Sequence, residues 1–212
     1  MDLTRFLKEY IEQYLLSDLR NMVAYEKTID VKHDGHLGYP LFISCAAGIE
    51  TLGVLLTEKE DDFTESGASG FDHYWRTYLY KDLPERNVAR NIYALVRNGI
   101  AHNFAAKLPT IGTRMPDRHL KVVDGVPYID ATKLASDFEW SYEQFKKDAK
   151  ENKELRRELE DTFERFLAYN EDKVAKNRRA LDQLHTFKPI EMEMTPAVTG
   201  SFVTGASSKG IG

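Results

Sequence analysis

Leu95-Val96-Arg97-Asn98-Gly99-Ile100-Ala101-His102-Asn103-Phe104 closes an apolar run that steps through Val88, Ile92, Leu95 and Val96. Steps of three and four residues predict a helix over residues 84–102, with Pro84 in its first turn and Glu85 complementing its N-terminus. On such a helix Asn98 and His102 share a face, while Arg97 lies about 140° round from His102 and about 7.5 Å away along the axis. A flexible arginine covers that gap. Gly99 has no Cβ, so a second backbone or a phosphate can come close, at a cost of roughly 1 kcal/mol relative to Ala. A permanent cation with a planar fork, an amide, and an imidazole that titrates near neutral pH together suit metal-free phosphodiester cleavage.

The spacing alone does not select this site, because Arg114 to His119, Arg178 to His185 and Arg179 to His185 have comparable separations. Context does. The first contains Pro116, the other two have Arg or Ala after the arginine, and only Arg97 has a small amide beside it and a long apolar helix before it.

Arg97-Asn98-x-x-x-His102 resembles the signature of the HEPN domains: an arginine, an adjoining polar residue, and a histidine four to six intervening positions later. The resemblance covers roughly residues 1–105 in helix order, and only the short motif is specific. It implies an all-α fold, an antiparallel HEPN-like helical bundle. It also implies a homodimer whose two motifs face each other, and metal-independent endoribonuclease activity with Arg97, Asn98 and His102 as catalytic residues. A setting in toxin–antitoxin, stress or phage-defence systems, with an antitoxin or other protein partner, follows from the resemblance only. Glu50, Tyr93, Asn103 and Lys107 are the expected substrate contacts. No metal and no cofactor is expected. The competing expectation is a non-catalytic helical dimer that binds a partner protein or a nucleotide.

At 212 residues, with 30% charged and 42% hydrophobic residues, the chain has the make-up of a soluble globular protein. Its net charge of −5 argues against broad, non-specific nucleic-acid binding, though a local basic groove can coexist with an acidic exterior. Charged residues interrupt the first turns, so no signal peptide is expected. Leu41 to Thr57 is the most apolar run, but at about 17 residues and with Glu50 inside it, a buried core helix is expected and not a membrane span. The single cysteine, Cys45, lies in that run as a small buried hydrophobe, and an intracellular, cytoplasmic location fits.

In chain order, residues 2–26 predict a helix whose core face is Leu3, Phe6, Leu7, Tyr10, Ile11, Tyr14 and Leu15. Residues 31–40, with His33, Asp34 and His36, read as an exposed loop. Glu50 is the one ionisable residue of the second helix and needs a partner or a polar pocket. Glu58 to Gly70, ending Glu65-Ser66-Gly67-Ala68-Ser69-Gly70, reads as a mobile surface loop, followed by a helix over Phe71–Lys81 with Tyr74, Trp75, Tyr78 and Leu79 as a core stripe. Tyr93, one turn before Arg97, can line the same groove.

Residues 105–130 form an insertion, with a hairpin turning at Asp124-Gly125 and a local positive bias from Lys107, Arg114, Arg118 and Lys121. Thr132 or Asp130 can cap long C-terminal helices over 131–186. Their seam runs Leu134, Phe138, Tyr142, Phe145, then Leu155, Leu159, Phe163, Phe166 and Leu167. Lys146 to Arg157 is a solvated face or a junction between two helices. These elements form one domain over 1–186, with core helices at about 2–104 and a flexible tail at 187–212. Val203 to Gly212 resembles a dinucleotide-binding turn, but its glycine spacing is one residue too long and nothing follows to form a βαβ unit.

Overall fold

The bundle is built round its most apolar stretch. The computed structural model describes residues 1–30, 37–57, 63, 66–82, 88–97, 99–100 and 110–181. Helix α2, Gly38–Leu56, is long and apolar enough by length and composition to cross a membrane. Here it is the core helix: Leu41, Phe42, Cys45, Ala46, Ile49 and Leu52 are fully buried among the other helices. Burial also pushes the Cys45 thiol well above its ordinary range, as expected of a packing residue. The helix begins at Gly38, so Pro40 sits in its first turn, where its missing N–H costs nothing.

Helix α1 spans residues 3–26 and is capped by Asp2, whose side chain accepts from the Arg5 N–H. Its middle, Leu7–Leu16, is wound as a π-helix. The wider turn corrects the expected core face. Buried positions run Leu3, Ile11, Leu16 and Leu19, with a five-residue step from Ile11 to Leu16, and Tyr10 and Tyr14 are rotated out to 49% and 64% exposure.

Helix α3 covers residues 66–79, α-helical over Ser66–Tyr74 and π-helical over Trp75–Leu79. Residues 66–70 are therefore helix, not the expected loop. The reason is contact: a Cβ on Gly53 would lie 1.8 Å from the Gly70 carbonyl oxygen, so the bare backbones of α2 and α3 touch. The Ser/Gly composition that looks like a loop is what permits this approach. Of the expected stripe Tyr74, Trp75 and Leu79 are buried and Tyr78 is partly buried against the core, and Phe71 is buried with them. Helix α4 follows over residues 88–97, α-helical over Val88–Ile92 and π-helical over Tyr93–Arg97.

Strands β1 (Thr110–Gly112), β2 (Lys121–Val123) and β3 (Val126–Asp130) form a small sheet in the order β1-β3-β2. The expected hairpin is β2–β3, antiparallel, with Val123 opposite Val126. Asp124 and Gly125 both have positive φ, 53° and 79°, as a two-residue type I′ turn requires. Strand β1 adds in parallel on the other side of β3, with Thr110 opposite Tyr128.

Glu26, at the end of α1, fastens the sheet to the bundle. Fully buried, its carboxylate accepts from the Leu37 N–H at 2.8 Å and from the Thr113 hydroxyl. Arg114 pairs with it at 3.6 Å and donates to the Ile29 carbonyl at 2.9 Å. These partners offset the cost of burying the carboxylate.

Of the two candidate caps, Asp130 starts helix α5 (Ala131–Glu151): its Oδ1 accepts from the Lys133 N–H at 2.9 Å and from the Thr132 hydroxyl. Leu134, Phe138, Tyr142 and Phe145 are fully buried, as the seam predicted. The charged stretch 146–157 is a junction: Asn152 leaves helical geometry and its side-chain oxygen caps helix α6 (Lys153–Leu181), accepting from Glu154 and Leu155. Leu159 and Phe163 of α6 are buried, with Phe163 5.0 Å from Phe6 of α1 between ring centres, whereas Val174 is exposed. The chain divides into two units, Met1–Lys176 and Asn177–Gly212, and all the packing above belongs to the first. Among the described residues the fold is thus mostly helical with one small sheet.

Candidate functional site

Three of the expected site residues come together where α2, α3 and α4 meet. Arg97 donates through Nε to Glu50 Oε2 at 3.0 Å, and its Nη2 lies 3.0 Å from the same oxygen. Tyr93 hydrogen-bonds to the same carboxylate, and its ring lies under the guanidinium, 5.4 Å from centroid to Cζ. Burial, then the Glu50 carboxylate, push the Tyr93 hydroxyl above its ordinary range, so it stays a protonated donor. The pair is only partly covered: the Arg97 side chain is 29% exposed and that of Glu50 20%. The guanidinium is held by the Glu50 carboxylate at its edge and by the Tyr93 ring at its face.

Gly67, which the sequence placed in a loop, makes this geometry possible. A Cβ there would lie 2.5 Å from Glu50 Oε1 and 2.6 Å from the Tyr93 hydroxyl, so both polar groups rest on bare helix backbone. Asn98, His102, Asn103 and Lys107 lie outside the described residues, as do His33, Asp34 and His36. Gly99 is buried.

The sheet, which carries Arg114, Arg118 and Lys121 of the positively biased insertion, lies away from Glu50. Its edge packs on the start of α2, where Gly38 lies against Ile111. Glu50 is twelve residues further on, about 18 Å along the helix. Arg114 is occupied by Glu26 and by the Ile29 carbonyl.

Comparison of the chain with family models, curated proteins and solved structures gave no match. The site therefore has to be judged on its own chemistry. Among the described residues, no three His, Cys, Asp or Glu side chains gather that could hold a metal ion.

A second polar cluster links α3, the sheet and α5. The Asp130 N–H donates to His119 Nδ1 at 3.1 Å, which leaves the neutral ring's proton on Nε2, 2.7 Å from the Tyr80 hydroxyl. That hydroxyl donates onward to Asp137 Oδ2 at 2.8 Å, and Lys133 pairs with Asp137. Every proton has an acceptor, so the cluster reads as a structural tie. Burial pushes the His119 imidazole down to about 4 from 6.5, with Asp137 and Asp130 opposing and Lys133 assisting.

Because the folded value lies below the unfolded one, protonation favours the unfolded chain. This contribution to stability is complete above pH 6.5 and is lost as pH falls toward 4, up to about 3 kcal/mol. Thermal melts of wild type and His119→Gln across that window are expected to show a flatter pH dependence in the variant. Equal slopes would remove His119 as the source.

Proposed function

We propose that this chain is a HEPN-like, metal-independent endoribonuclease. The observation that carries the reading is an arginine held by Glu50 and Tyr93 yet partly exposed, followed in the sequence by Asn98 and His102. The RNA 2′-hydroxyl attacks the adjacent phosphorus, with His102 moving the proton and Arg97 stabilising charge on the five-coordinate phosphorus. Asn98 orients a phosphate oxygen or His102. Chain scission leaves a 2′,3′-cyclic phosphate on one fragment and a 5′-hydroxyl on the other. Since one protomer carries one such histidine, the working unit is a two-fold dimer in which both motifs face a shared groove.

Purified protein incubated with single-stranded RNA and a chelator is expected to cleave it, and His102→Ala to lower the rate by about 10²–10⁴-fold. Cleavage that survives this substitution ends the proposal.

One observation favours a second reading, a non-catalytic helical adaptor. The Arg97–Glu50 pair ties α4 to α2, which a bundle can use for cohesion alone. Under that reading Arg97→Ala lowers the melting temperature while no RNA is cut by the wild type.

A further inference from the structure

Two arginines converge on one carboxylate a short way along α3 and α4 from Arg97. Asp72 of α3 is 2% exposed, yet the side chains of its partners Arg76 and Arg90 are 49% and 64% exposed. Both use the same oxygen: Arg76 through Nη2, and Arg90 through Nε at 3.3 Å, donate to Oδ2. The Arg76 Nε also faces the Asp72 backbone oxygen at 3.5 Å. Asp72 Oδ1 is buried, and among the described residues nothing donates to it.

Helix cohesion accounts for only half of this arrangement. Asp72 and Arg76 are four apart on one helix, an ordinary stabilising pair, and one arginine already neutralises one carboxylate. Arg90 comes from another helix and adds a second cation, so the group carries a net positive charge with both guanidiniums facing water. The local field is felt next door. His73 lies below its ordinary range through burial first and the Arg76 charge second, against the pull of Asp72. A positive spot of this kind is what a chain of net charge −5 needs in order to hold a polyanion.

Its position relative to the candidate site is defined by aromatic contacts. Phe71, beside Asp72 in the chain, packs on Tyr93 with ring centres 5.4 Å apart, and Tyr93 lies under Arg97. Arg90 and Arg97 are seven residues apart in α4, on the order of 10 Å along its axis. One strand can contact both.

We infer that Arg76 and Arg90, pre-set by Asp72, form a phosphate-binding subsite for the backbone of single-stranded RNA leading to Arg97. The identity of the ligand rests on the ribonuclease reading. A guanidinium fork matches the oxygens of a phosphodiester, and a fork already held by a buried carboxylate loses less freedom on binding.

The test uses the full-length chain carrying His102→Ala, so that RNA stays intact. Binding of a fluorescent single-stranded oligoribonucleotide is measured with chelator over a range of salt. Adding Arg76→Gln and Arg90→Gln is expected to make the log Kd against log salt slope shallower by about 0.7 for each phosphate that is no longer neutralised. Arg90→Lys, which keeps the charge, is expected to keep most of the slope. Arg90→Gln alone guards against damage to α3, since Arg90 is the more exposed partner. It should show about half of the double variant's change.

An unchanged slope and Kd in the double variant overturn the subsite. Should the wild type still cleave RNA in that case, the ribonuclease reading stands without it. A slope that falls as expected, in a protein whose wild type cuts nothing, keeps the subsite and removes the ribonuclease. Absence of RNA binding by the parent overturns both.

Discussion

Arg97→Ala is expected to lower the rate of RNA cleavage by about 10²–10³-fold, the usual loss on removing one preorganised charge donor from a transition state. The fold should barely register it. Both members of the Arg97–Glu50 pair are partly exposed, so the pair is worth about 1 kcal/mol or less, or roughly 2–4 °C in melting temperature for a chain of this size. Glu50 keeps the Tyr93 hydroxyl as a donor and can take up water. Arg97→Lys keeps the charge and loses the planar fork, so it should fall between the two in rate while melting like the wild type. Rate and melting temperature therefore separate chemistry from cohesion. A folded Arg97→Ala protein that cuts RNA at the parental rate would sink the assigned role. A fall of 10 °C or so, in a chain with no cleavage to lose, would make Arg97 a tie between helices.

Those parts of the fold governed by local pattern were legible from the residues. Asp124-Gly125 can adopt the positive φ values of a tight hairpin turn, and it makes one. The four-residue seam of Leu134, Phe138, Tyr142 and Phe145 needs only a regular helix to be buried on one side. Where pattern misled, a specific contact or winding overrode it. Tyr10 and Tyr14 fit a regular helix face, but the π-wound turn from Leu7 to Leu16 rotates them into solvent. Strand β1 pairs in parallel with a strand well beyond it in the chain, with no turn between them to announce it. Glu26 is fastened by Thr113 and Arg114, a contact no window of sequence contains.

The candidate site divides in the same way. Tyr93 and Arg97 are one helical turn apart, and a lone carboxylate on an apolar helix demands a partner, so Arg97, Tyr93 and Glu50 could be named in advance. Gly67 could not, because its role is to be absent under two side chains from other helices. Asp72 and Arg76 offered a visible four-residue pair; Arg90 joins them only through the close approach of α3 and α4, which Gly67 permits by leaving room for Tyr93.

The packing of α3 on α2 makes Gly53→Ala the most damaging single change expected in the bundle. Two effects of opposite sign compete. Alanine is the better helix former by about 1 kcal/mol, so on an isolated α2 the substitution would raise stability. Against this, the added Cβ would sit 1.8 Å from the Gly70 carbonyl oxygen and 2.3 Å from its carbon. Neither atom belongs to a side chain that can swing aside, and Gly70 is as tightly placed, its own Cβ position lying 2.7 Å from the Val54 nitrogen. To make room α3 must shift bodily, and with it Phe71, Tyr74 and Trp75, which fill the core. Overpacking that moves a helix costs about 3 kcal/mol or more, which outweighs the propensity gain and lowers the melting temperature by on the order of 10 °C. The same shift carries Gly67 away from Glu50 and Tyr93, so RNA binding or cleavage should fall with stability even at temperatures where the chain is folded. Gly125→Asn is the matched control: nothing lies within 4 Å of that Cβ position, and asparagine tolerates positive φ, so its melting temperature should stay near the parent's. Melts of the two variants decide the matter by sign, since a rise for Gly53→Ala would mean that α2 and α3 do not touch through their glycines and that the site they frame is assembled differently.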